Sequence, residues 1–235
     1  MDQKSSEKII QNPFYLALTP EVADPASGRN KYEFMMKKLV FLFVASLFFS
    51  GFAHGQNVDI NVLRTINLGR PKSLDNTFMA ISNSTIPITL AVPIGMFVVS
   101  WIQKDSSMQY HALGAVAGLA VASALTLGLK YIINRPRPYI TYPYLENVTR
   151  ENDPSFPSGH ATLAFSTATT LSLNFPKWYV IAPSFLWAGL VAYSRLDMGV
   201  HYPSDVLVGM IIGAGSSYLS FKITHWLDHR KFHPL

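Results

Sequence analysis

Five stretches of this chain carry no Asp, Glu, Lys or Arg: residues 76–103, 106–129, 154–176, 178–194 and 206–221. The first three, of 28, 24 and 23 positions, can cross a hydrocarbon layer as helices, which takes about 20 apolar residues. The last two, of 17 and 16 positions, are marginal; they need flanking side chains that snorkel, such as Trp178, Lys222 and Trp226. The pattern calls for an all-α fold, a polytopic membrane helix bundle of five to six spanning helices. A soluble helical protein with merely apolar core helices is the alternative. Small residues (Gly114, Ala115, Ala117, Gly118, Ala120, Ala122, Ser123, Ala124) suit close helix packing in lipid.

Composition narrows the class further. Charged residues make up 14% of the 235 residues, against about 25% in soluble chains. Only eighteen charges follow Lys72. With 49% hydrophobic residues the chain is not disordered. It has no cysteine, which excludes a disulfide framework and thiolate chemistry and suits an oxidising compartment. Net charge is +5, but no basic stripe points to nucleic acid.

Residues 1–35 form a polar N-terminal extension. Residues 36–55 read as a signal peptide or first membrane helix: Met36-Lys37-Lys38, an apolar run Leu39–Ala53, then Ala53-His54-Gly55. Either way Gln56 lies outside the membrane. Residues 56–82 carry spaced apolar positions (Ile60, Leu63, Ile66, Leu68) and are expected as amphipathic surface helices. A membrane core at 83–226 and a cytoplasmic tail at 227–235 follow. With Gln56 outside, Lys104, Lys177, Lys222, Arg230 and Lys231 fall inside, as the positive-inside rule asks.

Three short blocks stand out among the remaining charge, all expected on the outer side. They are Lys130…Arg135-Pro136-Arg137-Pro138, then Pro157-Ser158-Gly159-His160, then Ser194-Arg195-Leu196-Asp197…His201-Tyr202-Pro203-Ser204-Asp205. Singly, each has a plain structural reading. Lys130 could be a snorkelling anchor, Arg137 a solvated loop charge, Ser158 a helix cap, and Asp205 a local cap near the Pro203 helix start. Together they place cations, an anion-accepting helix start and two histidines at one face of a membrane bundle. Charge there is costly, roughly 2.5–3.5 kcal/mol per unpaired group, unless a ligand uses it. Guanidinium and ammonium groups with oriented N–H donors match the oxygens of a phosphate dianion. Asp205, one helical turn after His201, can fix the imidazole tautomer.

The blocks resemble the signature of the type 2 phosphatidic acid phosphatase superfamily, which shares its pocket with vanadium haloperoxidases and class A acid phosphatases. That signature reads Lys-x6-Arg-Pro, Pro-Ser-Gly-His and Ser-Arg-x5-His-x3-Asp, and every fixed position is present here. The resemblance implies an acid phosphatase/vanadium haloperoxidase-like core and a lipid phosphatase that works through a phosphohistidine. It implies His201 as nucleophile, Asp205 as its orienter and His160 as general acid and base. Lys130, Arg137, Ser158, Gly159 and Arg195 would bind the phosphate. It implies no metal and no cofactor, a membrane lipid phosphate as substrate, and vanadate as an inhibitor. Undecaprenyl pyrophosphate, phosphatidylglycerol phosphate and lipid A phosphates all suit an outward-facing dianion pocket at a bacterial inner membrane. A soluble periplasmic acid phosphatase and a non-catalytic phosphate or phospholipid binder remain as alternatives. Arg135, Tyr139, Tyr142 and Tyr144 are expected at a headgroup or in an aromatic belt. Asp197 is expected to be structural, and His111, His225, His229 and His233 to be ordinary edge histidines.

Overall fold

The computed structural model of the chain describes residues 58–232, with side chains through Asp228. The extension at 1–35, the segment at 36–55, His233 and the His229 side chain lie outside these limits. All regular structure among the described residues is helical. Helix α1 covers residues 58–69, and a 3-10 turn follows at Lys72–Leu74. Then come α2 (Asp75–Asn83), α3 (Thr85–Gln103), α4 (Ser106–Ile133), α5 (Pro138–Thr141), α6 (Gly159–Asn174), α7 (Trp178–Asp197) and α8 (Pro203–Phe232).

Local chemistry sets several boundaries. Lys104 (φ 54°) and Asn134 (φ 48°) take left-handed backbone after α3 and α4, a common way to stop a helix. Asp105 starts α4 by accepting the Met108 N–H at 3.0 Å, as an N-cap does. Pro138 and Pro203 open α5 and α8, where a missing N–H costs nothing.

Three helical runs are long and apolar enough to cross a membrane: Lys72–Gln103, Ser106–Thr141 and Pro203–Asp228. Their outward faces carry Ile86, Leu90 and Ile94, then Leu113, Val121 and Leu125, then Leu207, Ile211 and Leu219, all exposed. Shorter α6 occupies the centre and touches α3, α4, α7 and α8. Its interior positions are small: Ala161, Thr162, Ala164, Ser166, Thr167 and Ala168 are buried. Helix α8 lies against α6 across Gly209 and Gly213. A Cβ at Gly209 would sit 2.6 Å from the Ser158 carbonyl oxygen, and one at Gly213 would strike the Thr162 carbonyl. Gly114 and Gly118 meet Thr224 and Ser217 of α8 in the same way, as the small-residue run on α4 implies.

Helix α1 lies over the loops at one end of this bundle. Ile60 and Leu63 are buried against Leu145 and Tyr202. Leu68, expected on the same stripe, is exposed, and Asn67 takes the inward position. Its side chain donates to the Glu146 and Asp197 carbonyls, both at 2.8 Å, and accepts the Glu146 N–H at 2.9 Å. Gly199 (φ 70°) makes room for this seat, since a Cβ there would meet Glu146 O at 2.7 Å and Asn67 Nδ2 at 2.9 Å.

Candidate active site

Helix polarity brings the three blocks to one end. The C-termini of α4 and α7 lie beside the N-termini of α6 and α8, so Lys130, His160, Arg195 and the His201 loop converge. A cavity of about 420 Å³ opens there, and its polar wall holds Lys130, Glu151, Asp153, Gly159, His160 and His201. Its other wall is Ile86, Leu127 and Leu163. Ile86 and Leu127 are themselves more than half exposed on the apolar flank. The cavity therefore runs from a charged seat to the lipid-facing surface.

The His201 ring is fully buried and its two nitrogens face different groups. Nε2 lies 3.4 Å from Arg137 Nη1. Nδ1 lies 3.5 Å from Ser155 Oγ and 3.7 Å from Asp205 Oδ2. At 3.7 Å the carboxylate is too far for a hydrogen bond to the ring. Ser155 Oγ hydrogen-bonds Asp205 Oδ2 and stands beside the same nitrogen, so it bridges the pair. Burial holds the imidazole neutral, pushed down to about 3, with Asp205 opposing and Arg195 and Arg137 reinforcing.

Asp205 is held from four sides. Besides Ser155, it accepts the Tyr202 N–H at 2.9 Å and Arg135 Nη1 at 2.6 Å. Its main-chain carbonyl accepts the Ser158 N–H at 3.0 Å, which ties the α8 start to the α6 start. Arg135, expected at a headgroup or belt, is thus turned inward. Its guanidinium stacks 3.8 Å from the Tyr202 ring centroid and binds Asp59 of α1 at 2.9 Å. Asp59 also accepts the Ser204 N–H at 2.9 Å. A chain Asp59–Arg135–Asp205–Ser155–His201 results.

Ser158 caps α6, its Oγ accepting the Ala161 N–H at 3.5 Å. Gly159 and His160 then line the cavity. No heavy atom lies within 4 Å of where a Gly159 Cβ would stand, so an anion could reach the backbone there. Tyr139 donates from its hydroxyl to the Glu151 carbonyl at 2.9 Å, and Tyr142 packs with Tyr144 at 5.8 Å. Asp197 is buried where α7 ends, its carbonyl held by Asn67. His111 packs on Phe221 and lies 4.0 Å from Asp228, away from this site.

The cations are not bare. Lys130 Nζ lies 2.8 Å from Asp153 Oδ2. Arg137 Nη2 lies 2.7 Å from Glu151 Oε2 and 2.6 Å from Asp153 Oδ1. Arg195 Nη2 pairs with Glu151 Oε1, and its Nη1 reaches Ser82 Oγ at 2.7 Å. Burial would raise the Asp153 carboxyl, but Lys130 and then Arg137 outweigh it and hold it low. Glu151, Asp153 and Ser155 escaped the sequence reading. A usable signal was there, since two acids stand within seven residues of the Pro157 block, in a loop where the cations of the first block need counter-charges.

With this geometry in view, the likenesses to known proteins have a structural basis. An undecaprenyl-diphosphatase of Sulfolobus acidocaldarius is 30% identical over 205 residues, covering 83% of this chain and 92% of that protein. The crystal structure of Aquifex aeolicus LpxE superposes with a TM-score of 0.61 at 29% identity, over 70% of this chain and 95% of that one. The Bacillus subtilis transmembrane phosphatidylglycerolphosphate phosphatase shares the fold, with a TM-score of 0.63 at 24% identity over 83% and 98%. The profile of the PAP2 superfamily matches residues 111–228, the interval that holds all three blocks and the helices that bring them together. A bundle that buries His201, Lys130, Arg137 and Arg195 at one end and sets His160 on the cavity beside them therefore has a plain assignment: the chain belongs to the PAP2 superfamily.

Proposed function

We propose that this protein is a metal-independent lipid phosphatase that removes phosphate from a phosphomonoester or pyrophosphate of a membrane lipid. The observation that carries this is the cavity itself. One end joins the His201 and His160 rings to Lys130, and the other reaches exposed Ile86 and Leu127 on the apolar flank. A soluble phosphate ester would need only the first end; a lipid phosphate uses both.

The roles follow from the ring geometry. His201 Nε2 faces the anion seat, and once Nδ1 carries the proton toward Ser155 and Asp205 its lone pair points at Arg137 Nη1, 3.4 Å away, and becomes available as that guanidinium turns to the phosphate. Nε2 attacks phosphorus, and the bond to the leaving oxygen breaks as His160 protonates that oxygen. His160, now a base, takes a proton from water. The resulting hydroxide attacks phosphorus, the N–P bond breaks, and phosphate leaves. Lys130, Arg137, Arg195 and the Gly159 N–H carry the equatorial charge throughout, the role that electrostatic positioning has in phosphoryl transfer. Asp205 and Ser155 stabilise the His201 ring as positive charge develops on it. Ser158 acts through the α6 cap that aims the Gly159 amide.

The undecaprenyl-diphosphatase and phosphatidylglycerolphosphate phosphatase likenesses support a polyprenyl or glycerolipid phosphate as substrate. We place the protein in a bacterial inner membrane with the site facing the periplasm, on the distribution of loop lysines and arginines. The residues at 36–55 then act as a signal or first anchor, 56–82 lie at the surface, 83–226 form the core and 227–235 face the cytoplasm. Vanadate should inhibit by taking the phosphate seat.

The test is phosphate release by detergent-solubilised protein from undecaprenyl pyrophosphate, phosphatidylglycerol phosphate and lipid A. Wild type should turn over at least one. His201→Ala should lose about a thousandfold or more and His160→Ala about a hundredfold or more. Turnover by His201→Ala at the wild-type rate sinks the mechanism.

A further inference from the structure

The phosphatase reading seats a dianion on Lys130, Arg137 and Arg195, yet each of these cations already holds a carboxylate. We infer that Glu151 and Asp153 are built-in competitors for the phosphate site: they fill the anion seat of the resting enzyme, and every phosphate must displace them. The inference rests on the phosphatase reading for its substrate.

The match of charge and oxygen placement comes first. Two carboxylates carry two negative charges, as a phosphate dianion does. Their four oxygens reach all three cations: Asp153 Oδ2 to Lys130, Asp153 Oδ1 and Glu151 Oε2 to Arg137, and Glu151 Oε1 to Arg195. A second observation is the contrast in exposure. The side chains of Arg137, Arg195 and Lys130 are 1%, 3% and 6% exposed, whereas those of Glu151 and Asp153 are 23% and 46% exposed. The cations are fixed and the carboxylates border water, so exchange requires only that the acids swing outward.

Their backbone is held by further bonds. Tyr139 brackets Glu151, donating to its carbonyl at 2.9 Å and accepting its N–H at 3.3 Å. Arg137 Nε donates to the Asp153 carbonyl at 2.8 Å, and Lys130 Nζ donates to the Pro154 carbonyl. Ser155 N donates to the Arg135 carbonyl at 2.8 Å. The two side chains therefore rotate about a held main chain, and no lid has to open. Glu146, earlier in the same loop, pairs with Arg70 and Lys72 and takes no part.

Displacing two bound carboxylates weakens every incoming phosphate. A soluble ester or free phosphate brings only its dianion to offset this. A lipid phosphate also buries chain against Ile86, Leu127 and Leu163. The pair thus lowers the affinity for all phosphates alike, leaves the chain contacts to supply the surplus that a lipid phosphate binds with, and speeds the departure of product phosphate.

Glu151→Gln and Asp153→Asn in the full chain should each lower the Ki of inorganic phosphate about threefold to tenfold. They should also raise kcat/KM on a soluble ester such as p-nitrophenyl phosphate and on a lipid phosphate by a similar factor. Glu146→Gln, with the same charge change in the same loop, should leave the phosphate Ki where it was. An unchanged or higher Ki in both variants overturns the inference. If these variants do not fold, Glu151→Asp, which keeps the charge on a shorter arm, should shift the Ki in the same direction. In the unmodified chain, phosphate should also shift the carboxylate stretching bands in infrared difference spectra as the acids move into water; unshifted bands overturn the inference. Phosphate protection against thermal unfolding, read on the same variants, requires no turnover. A wild type that cleaves no lipid phosphate would defeat the phosphatase reading while this binding readout still judged the seat.

Discussion

The middle of the bundle and its motif end handle polarity in opposite ways. In the middle the helices meet through neutral hydroxyls: Thr126 with Thr162 at 3.2 Å, Thr167 with Thr89 at 3.0 Å, Ser166 with Ser217 at 2.7 Å. Each donor finds a partner one helix away, and glycine lets the backbones close in. At the motif end charge is stacked instead, with Lys130, Arg135, Arg137 and Arg195 facing Asp59, Glu151, Asp153 and Asp205. A neutral pair is complete and has nothing left to offer a ligand. An ion network with half-exposed members can trade one anion for another. Stability resides in the first region and chemistry in the second.

Several experiments would break or sharpen that contrast. The largest effect is expected from Gly213→Leu. Its side chain has no room against the Thr162 carbonyl, so the α6–α8 seam must part, and the fold should be lost or its Tm fall by many degrees. A well-folded Gly213→Leu protein would show that the seam is not the stabilising element.

Next comes Arg135→Met, which keeps the stem over Tyr202 but removes the charge beside Asp205. Removing one partner of a buried ion pair costs about 3–5 kcal/mol. We expect kcat to fall about tenfold or more while KM changes little, with the pH profile of kcat shifting as well. A purely structural Arg135 would lower the folded fraction without moving that profile. Asp59→Asn should give the same pattern more weakly.

Acid stability separates groups within the motif end. His201 is held neutral in the fold, so the unfolded chain takes its proton first as pH falls. Stability should therefore decline from about pH 6.5 downward. His201→Gln should remove part of that decline. Asp153 has the opposite origin: its carboxyl is held low by Lys130 and Arg137 against burial. Its contribution is present above the unfolded value, about 3.9, and lost only as pH falls further. The slope of Tm against pH between 4 and 7 should thus respond to His201→Gln, whereas Asp153→Asn should shift the whole curve without changing that slope.

The smallest effect belongs to the hydroxyl pairs. Thr167→Val with Thr89→Val removes both partners of one bond, and the double variant should lie within about 1 kcal/mol of wild type. Thr167→Val alone leaves the Thr89 hydroxyl without this partner and should be the worse of the two. The reverse order would show that the hydroxyls contribute more than mutual satisfaction.

Much of the site could be read in advance, because Lys130, Arg137, His160, Arg195, His201 and Asp205 are types that lipid tolerates only for a reason. The cap at Ser158 and the close packing on Gly114 and Gly118 were legible on local rules. Other parts were not. Arg135 looked like a surface residue because its partners Asp59 and Asp205 lie 76 and 70 positions away. Ser155 gave no sign of standing between His201 and Asp205, since its role depends on a loop turning back toward α8. Leu68 fitted an apolar stripe on α1, yet Asn67 was buried instead, because two loop carbonyls needed a donor.

By itself the sequence determined the all-helical class, the confinement of charge to the loops and helix ends, and the three blocks that hold Lys130, Arg137, His160, Arg195, His201 and Asp205. These follow from rules that act locally or from the cost of charge in lipid, and both act on residue type and spacing. Only the tertiary structure decided which nitrogen of His201 faces the seat, which anions occupy the cations at rest and which charges merely support others. Those outcomes are set by distances between segments far apart in the chain, and no spacing along it encodes whether two opposite charges will meet.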